Sequence, residues 1–141
     1  MKRHMYLVLF AALLVACGGT SMPVPGSTFS GPIEISGGAS SGMLTFTVSD
    51  DGAAITSVGF SLTDVQCDGF SAGSWASQAS GRPFPILDGS INISSSSIGE
   101  VEGRFTSPTE ASGTIDLRPE LSFGQTTRCE LGEWEWSAEA Q

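Results

Sequence analysis

The chain has almost none of the side chains that usually act as catalytic bases or nucleophiles. Its only lysine, histidine and tyrosine are Lys2, His4 and Tyr6, which all lie within the first six residues. Histidine is the commonest general base, and lysine forms Schiff bases with carbonyl substrates. The rest of the chain therefore cannot build a Ser-His-Asp triad, a Cys-His pair, a lysine Schiff base or a histidine-ligated zinc site. Only carboxylates remain for catalysis, and we predict that the protein is not an enzyme and needs no cofactor.

Positive charge is also scarce. Beyond residue 16 the chain carries four arginines against all fifteen aspartates and glutamates, which is a formal side-chain charge of −11. A chain this acidic is repelled by phosphate backbones and by anionic lipid headgroups. We therefore exclude nucleic acid as a partner, and we expect that charge does not hold the protein to a membrane.

The one long hydrophobic run lies at the N-terminus. Tyr6–Ala16 is uninterrupted and apolar, and it follows the positive pair Lys2 and Arg3. A membrane-spanning helix needs about 20 apolar residues, whereas the apolar part of a secretory signal peptide needs roughly 7–15. The pattern predicts a signal peptide over residues 1–16, with a small residue immediately before the cut.

The end of this run resembles the lipobox of bacterial lipoproteins, because Leu14-Val15-Ala16-Cys17 matches all four of its positions. The resemblance implies that Cys17 receives a diacylglyceryl group and becomes the acylated N-terminus of the mature chain. Two or more acyl chains anchor a protein stably, at about 0.8 kcal/mol per buried CH₂. The expected location is the bacterial cell envelope, with the protein lipid-anchored to a membrane and facing the periplasm or the exterior. The competing interpretation is an ordinary secreted protein with a chance cysteine near its cleavage site.

The remaining cysteines are Cys67 and Cys129. Export to an oxidising compartment permits a disulfide between them. This bridge would close a loop of about 60 residues, worth roughly 4 kcal/mol in the chain-entropy model. The alternative is two reduced, buried thiols. No CxxC motif and no histidine accompany these cysteines, so their spacing predicts no metal site.

The chain after the leader divides into a linker and one domain. Residues 17–30 are rich in Gly, Ser, Thr and Pro and have no period, which is typical of a flexible tether. Residues 31–141 have the size of a single domain with one hydrophobic core.

Strand patterns run through this domain. Apolar and polar residues alternate over 43–62 and again over 98–118, and Asp50-Asp51-Gly52 supplies the turn of the first hairpin. Residues 70–85 are rich in Ser, Gly and Ala and are predicted to be mostly a long loop with at most one short edge strand. We expect an all-β fold, namely an antiparallel β-sandwich of about seven to nine strands, immunoglobulin-like or jelly-roll-like. A closed barrel is the alternative.

The order of several short segments resembles an uncharacterised β-sandwich module of bacterial cell-surface and secreted proteins. The segments are Gly42–Gly52, Cys67, Gly103–Ser107, Ala111–Thr114, Cys129 and Trp136–Ala138. The resemblance implies a β-sandwich with two cysteines and with the last tryptophan near the core. The family has no established activity, so it supplies no catalytic residues.

Tryptophans are the candidate ligand-binding residues. Trp75 lies in the predicted loop, and Trp134 lies two residues before Trp136, so that Trp134 and Trp136 share one face of a strand about 6.7 Å apart. Exposed, Trp75 and Trp134 could stack on sugar rings. The competing interpretation places them in or beside the core, because a tryptophan buries a large apolar area. A glycan or an envelope protein is therefore the candidate partner besides the membrane.

Carboxylates offer two weaker alternatives. Asp50 and Asp51, together with Asp64 or Asp68, could bind Ca²⁺ through loop oxygens, although Asp-Gly is also ordinary hairpin-turn chemistry. Paired glutamates could hydrolyse glycosides, and the candidates are Glu100, Glu102, Glu133 and Glu135. Each pair is expected on a solvated face, where nothing raises the pKa of an acid. We therefore predict a non-catalytic domain for binding or surface structure, with a carbohydrate-binding module as the alternative.

Overall fold

The described part of the chain is built from β-strands. The computed structural model describes residues 20–37, 39–67, 70–117, 120–122, 126–128 and 131–141. These residues contain no helix, which confirms the all-β prediction. It follows that no helix among them could span a membrane. The strands are β1 (Thr28–Glu34), β2 (Ser41–Val48), β3 (Ala54–Cys67), β4 (Phe70–Pro85), β5 (Ser90–Ser95), β6 (Gly99–Ser107), β7 (Glu110–Leu117), β8 (Glu120–Ser122), β9 (Thr126–Arg128) and β10 (Gly132–Ala140).

Eight of these strands form one antiparallel sheet in the order β4-β3-β2-β1-β10-β7-β6-β5, and β8 pairs with β9 in a separate hairpin. The edge strands β4 and β5 approach each other, and the Ser77 hydroxyl donates a hydrogen bond of 2.7 Å to the Ser97 carbonyl across the gap. The structure is thus a single, nearly closed, barrel-like sheet rather than the clear two-sheet sandwich that we expected. Alternation of apolar and polar residues shows which side chains face the core. It does not distinguish two packed sheets from one sheet curved towards a barrel, because both require the same alternation.

The two ends of the sheet are distinguished by the connections that they carry. β1, β3 and β7 run in the same direction, because antiparallel strands separate them in the sheet. The end at which β3 and β7 finish is called the Cys67 end. The opposite end carries the β2–β3 turn, the β4–β5 connection and the β6–β7 turn, and is called the Pro23 end.

Both predicted hairpins form. β2 pairs with β3, and β6 pairs with β7, each in antiparallel register. The apolar side chains that were predicted to share a face in each hairpin are buried in the core. They are Leu44, Phe46, Val48, Val58, Phe60, Leu62, Val101, Phe105, Ala111, Ile115 and Leu117.

Residues 70–85 form a strand rather than the predicted long loop. β4 is 16 residues long and pairs with β3, with register shifts that bend it. As an edge strand it buries little, and its residues that pack against the core are Ala72, Trp75, Ala79 and Phe84. The hydrophobic alternation that identifies a strand is therefore faint in this segment, because most of its side chains are small or polar and face solvent.

Four aromatic rings form the centre of the core. Phe29 stacks on Phe46 with ring centroids 5.0 Å apart, and Phe105 meets both rings edge to face. Trp136 packs edge to face on Phe46 at 5.9 Å. Its indole N–H donates a hydrogen bond of 2.9 Å to the Thr114 carbonyl, which satisfies the one polar group of this buried side chain. The resemblance-based expectation that the last tryptophan lies near the core agrees with this position.

Two glycines allow close packing of the strands beside Trp136. Gly113 is its register partner on β7, and Gly103 is the register partner of Gly113 on β6. A Cβ atom at Gly103 would lie 2.6 Å from Cζ2 of Trp136 and 2.5 Å from the Ser112 carbonyl oxygen. A Cβ atom at Gly113 would collide with the carbonyl oxygen of Glu102. Gly103 thus leaves room for the indole, whereas Gly113 lets the backbone of β6 approach β7 closely.

The N-terminal part of the described chain lies against the Pro23 end of the sheet. Pro23 is buried, and the Val24 amide donates a hydrogen bond of 3.0 Å to the Pro108 carbonyl. β1 begins at Thr28, so residues 28–30, which were predicted to belong to the tether, are part of the sheet.

The glycine contact with Trp136 gives the first prediction. Gly103→Ala is expected to lower the free energy of unfolding by about 1–3 kcal/mol, because the added methyl group overpacks a filled core. Urea denaturation followed by tryptophan fluorescence measures this change. The control is Ser94→Ala on the exposed face of β5, which is expected to change stability by about 0.5 kcal/mol or less. Equal stability of the two variants would show that the indole does not press against Gly103.

Candidate functional site

Both candidate sugar-stacking tryptophans lie on the inner side of the sheet. Trp134 on β10 is 4% exposed and belongs to the core. Trp75 on β4 is partly buried and packs edge to face on Phe60, with ring centroids 4.5 Å apart. β10 and β4 are not neighbouring strands, so the described structure does not unite these two rings in an exposed aromatic platform. The core interpretation therefore describes Trp134, and Trp75 covers the edge of the core beside the gap between β4 and β5.

The cysteines are described only in part. Cys67 is the last residue of β3 and is 3% exposed. Cys17 and Cys129 lie outside the described residues, so lipidation and disulfide pairing stay predictions.

The four glutamates considered as a hydrolase pair are all exposed on the outer face of the sheet. They are Glu100, Glu102, Glu133 and Glu135. β7 separates the two pairs, placing Thr114 between Glu102 and Glu135 and Asp116 between Glu100 and Glu133. A glycosidase acid needs a buried environment that raises its pKa, and these carboxylates face water. Together they form the acidic face, which covers the outer side of β6, β7 and β10.

The aspartates considered for calcium lie apart. Asp50 and Asp51 are in the β2–β3 turn at the Pro23 end, whereas Asp64 is near the Cys67 end of β3 and accepts a hydrogen bond of 2.8 Å from the Ser40 hydroxyl. Asp68 lies outside the described residues. Across the described part of the chain, no three metal-ligating side chains come together.

Asp51 organises the β2–β3 turn. Its carboxylate accepts hydrogen bonds from the Ser49 hydroxyl at 2.5 Å and from the Ala53 amide at 3.0 Å. These bonds, with that from Ser49 the stronger influence, lower the pKa of Asp51 below its usual value. Gly52 follows with a φ of +73°, a conformation that glycine adopts without strain. The Asp-Gly sequence thus serves the hairpin, as in other Asx turns.

A shallow concavity of about 560 Å³ lies on the outer face of β2, β3 and β4. Gly59 lies within it, and the register partners of Gly59 are Thr45 on β2 and Gln78 on β4. Because Gly59 has no side chain, a depression remains between these two neighbours. The lining residues are Met43, Thr45, Thr47, Ser57, Gly59, Phe60, Ser61, Ala76, Ser77 and Gln78.

The chemistry of this neutral concavity differs from that of the acidic face. None of its lining residues is charged. Met43, which is 44% exposed, supplies an apolar wall, while hydroxyl groups and the Gln78 amide supply donors and acceptors. Its size lies in the range of small-molecule sites, about 300–1,000 Å³. Such a surface suits an uncharged ligand that is rich in hydroxyl groups better than an ion.

Neither the protein-family models nor the curated proteins nor the solved structures that were compared with this chain show a significant match. The function therefore has to be inferred from the residues and their geometry.

The neutral concavity is the feature that the sequence did not predict. The alternation of Leu44, Phe46 and Val48 with Thr45 and Thr47 marked an outer polar face on β2. The concavity also needs β4, which was expected to be a loop, beside β3. The one signal for the concavity in the sequence is that residues 70–80 carry no charge, but a stretch rich in Ser, Gly and Ala also predicts a loop.

Proposed function

We propose that this protein is a lipid-anchored bacterial envelope protein whose β domain performs no catalysis and acts by binding or as a surface component. The observation that carries the proposal is the lipobox-like Leu14-Val15-Ala16-Cys17, which ends three residues before the described chain begins at Thr20. The anchor would be the acyl chains on Cys17, since two or more such chains hold a protein at a membrane.

The chemistry of the domain supports a non-catalytic role. Lysine, histidine and tyrosine are confined to residues 1–6. The exposed glutamates of the acidic face lack the buried setting that a glycosidase acid requires. A large negative surface instead keeps a protein soluble and keeps like copies apart.

Intact mass of protein purified from its native host tests the anchor. The expected mass is that of residues 17–141 plus two or three acyl chains, and Cys17→Ser is expected to remove the acyl mass and the membrane association. The control Thr20→Ser, which leaves the lipobox intact, should retain both. An unlipidated wild-type protein would contradict the anchor and make the chain a freely secreted one.

We also propose that Cys67 and Cys129 form the predicted disulfide. Cys67 ends β3, and Cys129 belongs to the stretch between β7 and β10. β3 and β7 finish at the same end of the sheet, so the chain leaves both strands at the Cys67 end. The bridge would tie this long connection to β3.

Removal of the bridge is expected to lower the free energy of unfolding by about 4 kcal/mol, because the cross-link restricts the unfolded chain. Thermal denaturation of Cys67→Ala and Cys129→Ala measures this loss. Reductant should destabilise the wild-type protein by a similar amount and should leave both variants unchanged. Alkylation of Cys67 in unfolded wild-type protein without prior reduction would refute the pairing.

The second candidate function is binding of neutral carbohydrate, and the neutral concavity favours it. A saccharide offers many hydroxyl groups and weakly apolar ring faces, and the concavity offers hydroxyl and amide partners beside Met43. This candidate differs from the sugar stacking predicted from the sequence, since Trp134 is buried.

Gln78→Met tests this second candidate. The substitution keeps the length of the side chain but removes its amide, and the loss of one hydrogen bond of about 1 kcal/mol is expected to weaken binding roughly fivefold. Chitohexaose and cellohexaose serve as neutral probes, followed by NMR titration. The matched control is Asn92→Leu, which removes an exposed amide from β5, outside the concavity. Equal affinity of the two variants, or no binding by the wild-type protein, would contradict the carbohydrate site.

A further inference from the structure

The N-terminal segment of the domain, residues 21–27, is held against the Pro23 end of the sheet. Three backbone hydrogen bonds fix it. The Val24 amide donates to the Pro108 carbonyl at 3.0 Å, the Gly26 amide to the Ser49 carbonyl at 2.9 Å, and the Val48 amide to the Ser27 carbonyl at 2.9 Å. Pro23, immediately before the first of these points of attachment, is buried.

The same segment also contacts the β4–β5 connection. Gly89, with a φ of +70°, lies so close to Ser21 that a Cβ atom there would be 2.5 Å from the Ser21 carbonyl oxygen. The Ser21 hydroxyl donates a hydrogen bond of 3.3 Å to the Thr106 carbonyl on β6. Residues 21–27 are therefore part of the domain rather than a free tether.

This attachment limits how far the domain can stand from its proposed anchor. Cys17 precedes Thr20 by three residues. Even a fully extended chain spans at most about 3.6 Å per residue, so Cys17 lies within about 11 Å of Thr20. That distance is short compared with the tether of residues 17–30 that the sequence predicted.

Exposed apolar side chains gather at the same end. Among the described residues the exposed large hydrophobic side chains are Met22, Val24, Met43 and Leu87, at 48%, 42%, 44% and 68% exposure. Met22 and Val24 belong to the attached segment, and Leu87 lies in the β4–β5 connection, two residues before Gly89. Three of the four thus lie at the end of the sheet from which the anchor would emerge.

Charges at this end set the kind of lipid surface that fits. The exposed acids at this end are Asp50, Asp51, Asp88, Glu110 and Glu139, and the exposed cations are Arg82 near the end of β4 and Arg104 near the end of β6. Net negative charge disfavours anionic headgroups, whereas apolar side chains gain free energy at any lipid surface. The surface that fits is therefore zwitterionic.

We propose that the Pro23 end is the membrane-contacting end, and that Met22, Val24 and Leu87 rest in the headgroup region of a zwitterionic lipid surface. This inference rests on the proposed acylation of Cys17. It turns the Cys67 end away from the membrane and leaves the neutral concavity and the acidic face on the sides of the sheet, exposed to solvent.

Quenching by brominated acyl chains tests the orientation. The full-length lipidated protein is placed in phosphatidylcholine vesicles, with Leu87→Trp as the reporter and Ser96→Trp, in the β5–β6 turn at the Cys67 end, as the matched control. Both positions are exposed, so the new indole does not disturb the core. Bromolipid is expected to quench the added fluorescence of Leu87→Trp severalfold more than that of Ser96→Trp.

A second variant separates apolar contact from mere nearness to the anchor. Adding Val24→Asp to Leu87→Trp should lower the quenching while flotation with the vesicles persists. Replacing part of the phosphatidylcholine by phosphatidylglycerol should lower it as well, because the turn aspartates meet anionic headgroups.

The outcomes distinguish this inference from the proposed anchor. Flotation with equally weak quenching at both positions would overturn the orientation and leave the anchor standing. Stronger quenching of Ser96→Trp would also overturn it, by placing the Cys67 end at the membrane. Failure of the wild-type protein to float, together with an unlipidated mass, would overturn the anchor and this inference together.

Discussion

The aromatic core centres on Trp136, whose indole lies against Gly103 and whose N–H donates a hydrogen bond within the sheet to the Thr114 carbonyl. Gly113, the register partner of Trp136, lets β6 approach β7 closely, because a Cβ atom there would collide with the Glu102 carbonyl oxygen. The phenylalanine rings of β1, β2 and β6 then pack around this centre. Large aromatic side chains bring much of the burial energy of a small core, and a close-packed interior tolerates little change in their volume.

Closure of the sheet divides its outer surface into two kinds of chemistry. β6, β7 and β10 carry the acidic face, whereas β2, β3 and β4 carry the neutral concavity. The register of β7 spreads the glutamates apart and their side chains face water, so they give this face its negative charge. The concavity combines hydroxyl groups, an amide and Met43 around the gap left by Gly59. Because no residue that lines the concavity is charged, an uncharged partner could bind there without burying an unpaired charge.

The two ends of the sheet are also distinct. At the Pro23 end the chain enters along the turns, with Gly89 leaving room for Ser21 and with apolar side chains exposed. At the Cys67 end β3 finishes in a buried cysteine, and the chain leaves β7 for its long connection to β10 at this same end. The two ends of the domain are therefore not equivalent, because residues 21–27 are hydrogen-bonded to one of them. The Gly- and Pro-rich composition of that segment does not predict these hydrogen bonds.

Strand periodicity is local, so the pattern of the sequence was enough to predict the all-β class, both hairpins and the inward side chains. The sequence also confines lysine, histidine and tyrosine to residues 1–6. The pairing of β1 with β10, the strand β4 and the separation of the aspartates considered for calcium are visible only in the folded chain. Strand pairing joins residues distant in the chain, so neither closure nor a surface built from three strands can be read from alternation alone. An edge strand such as β4 buries few apolar side chains, so its sequence shows no clear hydrophobic alternation. The neutral concavity, which β4 helps to form, was therefore not predicted.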